Sequence, residues 1–305
     1  MEVVQVRNLS KNYGALQAVD GVSFAVPEGS VFGMLGPNGA GKTTTIECVI
    51  GLQKRSGGEV RVLGLDPALS RKELYGFIGV QLQETVYQDK AKVFELCQLF
   101  STMYPDPLDY RQLLERFNLG SRANHYLRHL SGGERQKVAI VLALIANPHI
   151  IFLDELTTGL DPQSRREMWA YIKELQKEGR TVFMTTHYME EAAYLCDQIC
   201  IIDEGKIVAL DTVDGVIENA GLDTVISFET AEPTAALLEK LPGVNKVEKD
   251  HHQVRVYSQK EDLLTDLILL LREHAVEYKK INITRPGLED AFLQLAGKEW
   301  KEAAS

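Results

Sequence analysis

Gly36-Pro37-Asn38-Gly39-Ala40-Gly41-Lys42-Thr43 is the stretch on which the reading of this chain turns. It fits the pattern G-x-x-x-x-G-K-[ST], in which each fixed residue has a physical task. The glycines let the backbone curl until successive N–H groups face one anion. A helix starting at the end of the loop adds its positive N-terminal pole. Lys42 can reach the β- and γ-phosphates of a nucleoside triphosphate, and the Thr43 hydroxyl can hold Mg²⁺. The flanks suit this setting. Residues 30–35 form an apolar run that reads as a buried strand, and residues 43–51 read as a helix.

Working outward, residues 3–9 alternate apolar and polar, and residues 19–24 follow a turn at Tyr13-Gly14. Both read as antiparallel strands. Residues 84–146 lack clear strands and carry helical runs at 92–103 and 110–117, so they read as a helical insertion. Strand patterns return at 149–153, 181–185 and 198–202. Asp203-Glu204-Gly205 makes a turn from which 206–210 pairs back. Short apolar runs alternating with helices predict an α/β architecture.

The 305 residues are 45% hydrophobic and 25% charged, which excludes a disordered chain, a collagen repeat and a disulfide-stapled miniprotein. No uninterrupted apolar run reaches the roughly 18 residues a membrane span needs; the most apolar region, 138–153, is broken by Asn147, Pro148 and His149. The opening MEVVQVRNLS shows no secretory pattern. A net charge of −10 gives no overall field toward nucleic acid or anionic lipid. Cys48, Cys97, Cys196 and Cys200 are too scattered for a disulfide framework and have no histidine cluster beside them. They are expected to be buried free thiols rather than zinc ligands.

Two further stretches carry chemistry. In His149-Ile-Ile-Phe-Leu-Asp154-Glu155, four apolar residues end in two carboxylates. Asp154 can enter the coordination shell of Mg²⁺, while Glu155, directed elsewhere, can polarise an attacking water. Leu130-Ser131-Gly132-Gly133-Glu134 opens a helical run at 135–146. Ser131 is a natural helix cap, and the two glycines expose backbone N–H groups toward an anion. Two separate phosphate-facing loops on one chain suggest that one subunit's site is completed by another's.

These three stretches, in this order, resemble the ATP-binding subunit of ABC transporters over about residues 2–217. GPNGAGKT is similar to Walker A, IIFLDE to Walker B and LSGGE to the family signature. The resemblance implies a P-loop NTPase fold with an antiparallel β subdomain and a helical subdomain at about 84–146. It implies that ATP and Mg²⁺ bind. Gly36, Pro37, Asn38, Gly39, Ala40, Gly41, Lys42, Thr43 and Thr44 would cradle the phosphates. Tyr13 would stack on adenine. Ser131, Gly132, Gly133 and Glu134 would face the nucleotide of a second subunit. Asp161, in Thr158-Gly-Leu-Asp161-Pro162, matches the D-loop, and it is also a good helix cap before a first-turn proline. Gln83 matches the Q-loop glutamine, with Gln81 a nearby competitor. His187, ending Thr181-Val-Phe-Met-Thr-Thr-His187, matches the switch histidine at the γ-phosphate. Catalysis would then rest on Glu155, His187 and Gln83, and the metal on Thr43, Gln83 and Asp154.

One departure is Leu156, where the family usually has proline. Its expected effect is a slightly looser turn, worth roughly 0.4–1 kcal/mol of unfolded-state entropy. The implied partners are integral membrane permease subunits and a second ATPase subunit, identical or paralogous, with no nucleic acid. The implied location is cytoplasmic, peripheral on the inner face of the membrane. The alternative is a soluble relative acting on ribosomes or DNA.

A break near Asn219-Ala220-Gly221 separates a second pattern. Strands at 224–229, 244–248, 252–258 and 279–284 and helices at 234–240 and 262–274 give β-α-β-β-α-β, a small ferredoxin-like α+β domain. Pro286-Gly287 then precedes an amphipathic helix at 288–295. This accessory domain, 222–297 with a tail at 298–305, holds no phosphate loop or acid–base cluster, and docking, regulation or simple stabilisation are its expected roles. With its closing Pro286-Gly-Leu-Glu-Asp-Ala-Phe292-Leu, it resembles the C-terminal extension of bacterial exporters that include antibiotic and drug efflux ATPases.

Overall fold

A long hairpin begins the chain. Strands β1 (Glu2–Tyr13) and β2 (Leu16–Pro27) pair antiparallel, joined by a two-residue turn at which Gly14 takes a φ of +60°. The computed structural model describes residues 1–83, 87–260 and 262–296. The tail at 298–305 and the first residues of the helical region, 84–86, lie outside them. The described chain forms two compact units, Met1–Val213 and one that begins at Asp214.

In the first unit, β3 (Val31–Leu35) is buried at every position, as a strand covered on both faces requires. It runs through the glycine loop into α1 (Lys42–Val49). Strand β4 (Gly57–Val62), which sequence patterning did not reveal, adds to β1 and makes a three-stranded sheet ordered β2-β1-β4. The chain then passes through α2 (Arg71–Leu74) to β5 (Ile78–Gln81). The helical region follows, with α3 (Val93–Ser101), α4 (Tyr110–Arg116) and α5 (Gly132–Ile145). From Val138 onward α5 is buried on all sides, so it reads as uniformly apolar rather than amphipathic.

Strands β6 (Ile150–Asp154), β7 (Thr181–Thr186), β8 (Gln198–Asp203) and β9 (Lys206–Asp211) complete a six-stranded sheet, and α6 (Pro162–Lys177) and α7 (Met189–Leu195) join them. Its order is β5-β6-β7-β3-β8-β9, parallel except for the β8–β9 hairpin. The main core lies between the two sheets. Phe24 stacks on Phe32 at 5.2 Å between ring centroids, and Phe183 packs on Phe24, Phe32 and Phe152 within 5.8 Å. All four cysteines are free and buried, and burial pushes every thiol pKa up, that of Cys48 to about 11.

The second unit opens with most of α8 (Val213–Asn219). Strands β10 (Thr224–Glu229), β11 (Lys246–Asp250), β12 (Gln253–Ser258) and β13 (Lys279–Thr284) form an antiparallel sheet ordered β11-β12-β10-β13. With α9 (Ala235–Leu238) and α10 (Leu263–Glu273) this is the split βαβ arrangement, and α11 (Leu288–Ala296) follows. Two elements differ from the sequence reading. The strand expected at 244–248 begins two residues later, because Gly243, at φ +96°, and the Val244 N–H to Leu241 bond hold a turn there. The helix expected at 234–240 is one turn long. No helix among the described residues is long and apolar enough to cross a membrane.

Candidate active site

The glycine loop between β3 and α1 forms the first wall. Gly41 has a φ of +103°, and a Cβ there would stand 2.4 Å from the Ala18 carbonyl oxygen. At Gly36 a Cβ would meet the Ile202 carbonyl oxygen at the same distance. Only glycine fits either position. Between them Gly39 also lies in the left-handed region, and the Ala40 N–H closes a turn onto Pro37 O, with Asn38 at its bend. Lys42 is buried. Its Nζ donates to Gly36 O at 2.7 Å and Pro37 O at 3.2 Å, which curls the side chain back over the loop. Thr43 and Thr44 lie half-buried on the first turn of α1.

The acidic wall comes from the end of β6. The parallel register sets Asp154 beside Thr185 of β7. The Thr185 hydroxyl donates to Asp154 Oδ1 and accepts the Glu155 N–H at 3.1 Å, so one hydroxyl steadies both acidic residues. Burial pushes the Asp154 carboxyl up, while hydroxyls of Thr185 and Thr43 favour its charged form. Asp154 Oδ2 is buried with no hydrogen-bond partner among the described residues. A buried, unpaired carboxylate oxygen is costly. With the Thr43 hydroxyl beside it, this donor set suits a hard divalent cation that takes oxygen ligands.

Glu155 has a φ of +48°, unusual for a residue with a side chain. That turn sends its carboxylate away from Asp154 into a cluster of donors. Oε1 lies 3.2 Å from Lys42 Nζ. Oε2 accepts from Gln83 Nε2 at 3.1 Å and from Thr158 Oγ1 at 3.4 Å, and stands 3.4 Å from His187 Nδ1. Burial works to raise the Glu155 pKa, but His187 and Lys42 outweigh it and hold the carboxyl at about 2. Gln81, the competitor to Gln83, is buried with its amide donating to Leu82 O. His187 follows β7, is buried, and packs its ring 4.1 Å from that of Tyr188. Leu156 is also buried, so it contributes a packed apolar side chain to the turn after Glu155.

The remaining sequence-predicted residues stand apart from this cluster. Ser131 caps α5 in a reciprocal box: its Oγ accepts the Glu134 N–H at 3.2 Å, and Glu134 Oε2 accepts the Ser131 N–H at 2.9 Å. Glu134 also pairs with Arg122 at 2.7 Å, and these bonds, the Ser131 N–H first, hold its carboxyl below the usual range. Gly132 and Gly133 begin the helix. Asp161 caps α6, accepting from Gln163 N and Ser164 N at 3.0 Å. Tyr13, at the end of β1, is 43% exposed with Lys11 Nζ 4.6 Å from its ring centre. Among the described residues none of these side chains shares a hydrogen bond or ion pair with Lys42 or Glu155.

Sequence reasoning missed Thr185 and Thr158. Each is an ordinary threonine in its local context. Only the β6–β7 register and the turn after Glu155 bring them to the carboxylates.

Comparison with known proteins places these elements. Residues 19–158 match the family model described as ABC transporter. The chain is 35% identical over 317 residues to the daunorubicin resistance ATP-binding protein DrrA2 of Streptomyces coeruleorubidus, covering 99% of this chain and 98% of that one. It is 31% identical to the linearmycin resistance ATP-binding protein LnrL of Bacillus subtilis (strain 168), over 98% and 100% of the two chains. The solved dimeric structure of MJ0796, a bacterial ABC transporter cassette, superposes with a TM-score of 0.61 at 27% identity, over 68% of this chain and 98% of that one.

Proposed function

The chain belongs to the ATP-binding proteins of ABC transporters, and on that premise we propose that it hydrolyses ATP to power export through separate membrane subunits. The observation that carries the catalytic part is the convergence on Glu155. Lys42, Gln83, Thr158 and His187 all address one buried carboxylate at the mouth of the glycine loop.

Each residue then has a task. The loop from Gly36 to Thr44 wraps the phosphates in backbone N–H groups, and Lys42 exchanges part of its present bonding for phosphate oxygens. Tyr13 stacks on the adenine. Thr43, Asp154 and the Oε1 of Gln83 would hold Mg²⁺, which supplies charge neutralisation on the β- and γ-phosphates when bound. Glu155 orients and deprotonates water, and His187 stabilises charge at the γ-phosphate. Ser131, Gly132 and Gly133 serve the nucleotide of a second subunit, with Glu134 steadying that cap and Asp161 lying at the shared face. Two observations support this head-to-tail reading: their separation from the Lys42–Glu155 cluster, and the dimer seen in the solved structure of a similar cassette. Closing and reopening of the pair would drive membrane helices through the surface near Gln83. Export is the direction favoured by the two antibiotic-resistance relatives. On this reading the chain sits on the cytoplasmic face of the membrane, with the unit from Asp214 onward as an accessory to docking or regulation.

The test is affinity capture from detergent-solubilised native membranes with mass spectrometry of what is retained. Recovery of a polytopic membrane protein is expected. Recovery of ribosomal proteins or DNA with no membrane protein would overturn the transport reading and leave only the ATPase.

A further inference from the structure

Glu191 is a buried carboxylate that the mechanism above does not use. It lies on α7, four residues beyond His187, and is 1% exposed. Its Oε1 accepts from Trp169 Nε1, on α6, at 2.9 Å. Burial pushes its pKa up, and the groups that favour its charged form are Thr186, Thr157, Trp169 and Arg165. Those four come from three segments. Thr186 is the residue immediately before His187. Thr157 lies in the turn between Glu155 and Asp161. Trp169 and Arg165 belong to the helix that Asp161 caps.

The neighbourhood is bound together by a second set of contacts. Thr186 Oγ1 accepts the Tyr188 N–H at 3.0 Å, which braces the backbone on both sides of His187. The Arg165 guanidinium sits 4.2 Å over the Tyr188 ring, whose other neighbour at 4.1 Å is the His187 ring. The Trp169 ring stacks on Tyr194 of α7 at 5.2 Å. A charged or hydrogen-bonding group is expensive to bury unless hydrogen bonds or paired charges satisfy it. A carboxylate with two oxygens can accept from several segments at once, which no apolar side chain of that size can do.

We propose that Glu191 is a positioning residue that sets where His187 stands relative to Glu155 and to the Asp161 cap, by tying the first turn of α7 to α6 through the Trp169 bond. The proposal rests on the role given to His187 above. It touches no substrate; it acts through the backbone of residues 186–188. Acceptor capacity at this point matters, so glutamine, which can still accept from Trp169, replaces it better than alanine.

The experiment is a double-mutant cycle on the purified full-length chain, with ATPase turnover and ATP affinity measured separately. His187→Ala and Glu191→Ala should each lower kcat by about tenfold or more, with Kd for ATP within about threefold of wild type, because the glycine loop is untouched. Adding Glu191→Ala to His187→Ala should lower kcat no further. Glu191→Gln should recover kcat to within about threefold of wild type. Trp169→Phe removes the indole donor while keeping an aromatic ring, and it replaces Glu191→Ala in the cycle if that variant does not fold. Multiplying losses in the double mutant would overturn the proposal while leaving the His187 reading intact. Unchanged kcat in His187→Ala would overturn the His187 reading and this proposal with it. A Glu191→Ala loss confined to the amount of nucleotide bound, with normal turnover per bound nucleotide, would mark a purely structural residue and also overturn the proposal.

Discussion

Replacing Thr185 by valine isolates the one hydroxyl shared by the two acidic residues. Valine keeps the branched shape, and position 185 is fully buried, so packing is preserved. What disappears is the donor to Asp154 Oδ1. The Glu155 N–H is not orphaned, since it retains the Thr185 carbonyl at 3.2 Å. The loss is therefore one hydrogen bond to a charged, buried acceptor, about 1.5–3 kcal/mol. It falls on a carboxylate whose other oxygen already lacks a hydrogen-bond partner among the described residues. For a unit of this size that corresponds to a Tm lower by roughly 3–12 °C. Urea unfolding should show a lower midpoint at unchanged slope. Turnover should fall by about tenfold, equivalent to about 1.4 kcal/mol of barrier, and the Mg²⁺ concentration for half-maximal turnover should rise. A stability change under about 0.5 kcal/mol, together with an unchanged Mg²⁺ requirement, would refute the view that Thr185 holds Asp154 in place.

Glu155→Gln should keep ATP bound while lowering turnover by about 10²–10⁴, the range for loss of a general base; near-normal turnover in a steady-state assay would remove Glu155 from that role. Gly41→Ala should fold poorly or bind ATP at least tenfold more weakly, because the added methyl meets the Ala18 carbonyl oxygen and the backbone is left-handed there; equilibrium binding of a fluorescent ATP analogue reads this directly. Glu134→Ala should break the reciprocal cap of α5 and cost about 1 kcal/mol in denaturant unfolding. The Arg55–Asp66 pair, bidentate at 2.9 and 2.7 Å, holds the Asp66 carboxyl below its usual pKa, first through the Arg55 hydrogen bonds. A depressed carboxylate contributes stability that is present above its unfolded pKa of about 3.9 and is lost as pH falls through the folded value. Arg55→Met should therefore lower stability by about 1 kcal/mol at pH 7 and flatten the acid limb of a Tm–pH profile below about pH 4.

The features legible in the amino-acid order alone are those made by neighbours in the chain. The glycine loop, the Ser131–Glu134 cap and the Asp161-Pro162 helix start each close hydrogen bonds within three or four residues, so their residue types declare them. The order β-α-β-β-α-β of the second unit was legible for the same reason, as alternating runs with turn residues between them. Its strand and helix ends were not, since Gly243 and the short α9 answer to local turn geometry that apolar patterning does not encode. Strand β4 also escaped notice: its Gly-Gly-Glu start hides a strand that exists only because β1 offers it an edge. Among the site residues, Gln83 and Gln81 are two positions apart and chemically identical. Only the folded chain sends one amide to Glu155 and leaves the other on Leu82. Thr185 reaches Asp154 across 31 residues, and Trp169 reaches Glu191 across 22, through strand register and helix packing. Contacts closed over such distances depend on how whole elements pack. They were decided by the tertiary structure, because packing responds to every apolar face in the core at once and not to the few residues around each side chain.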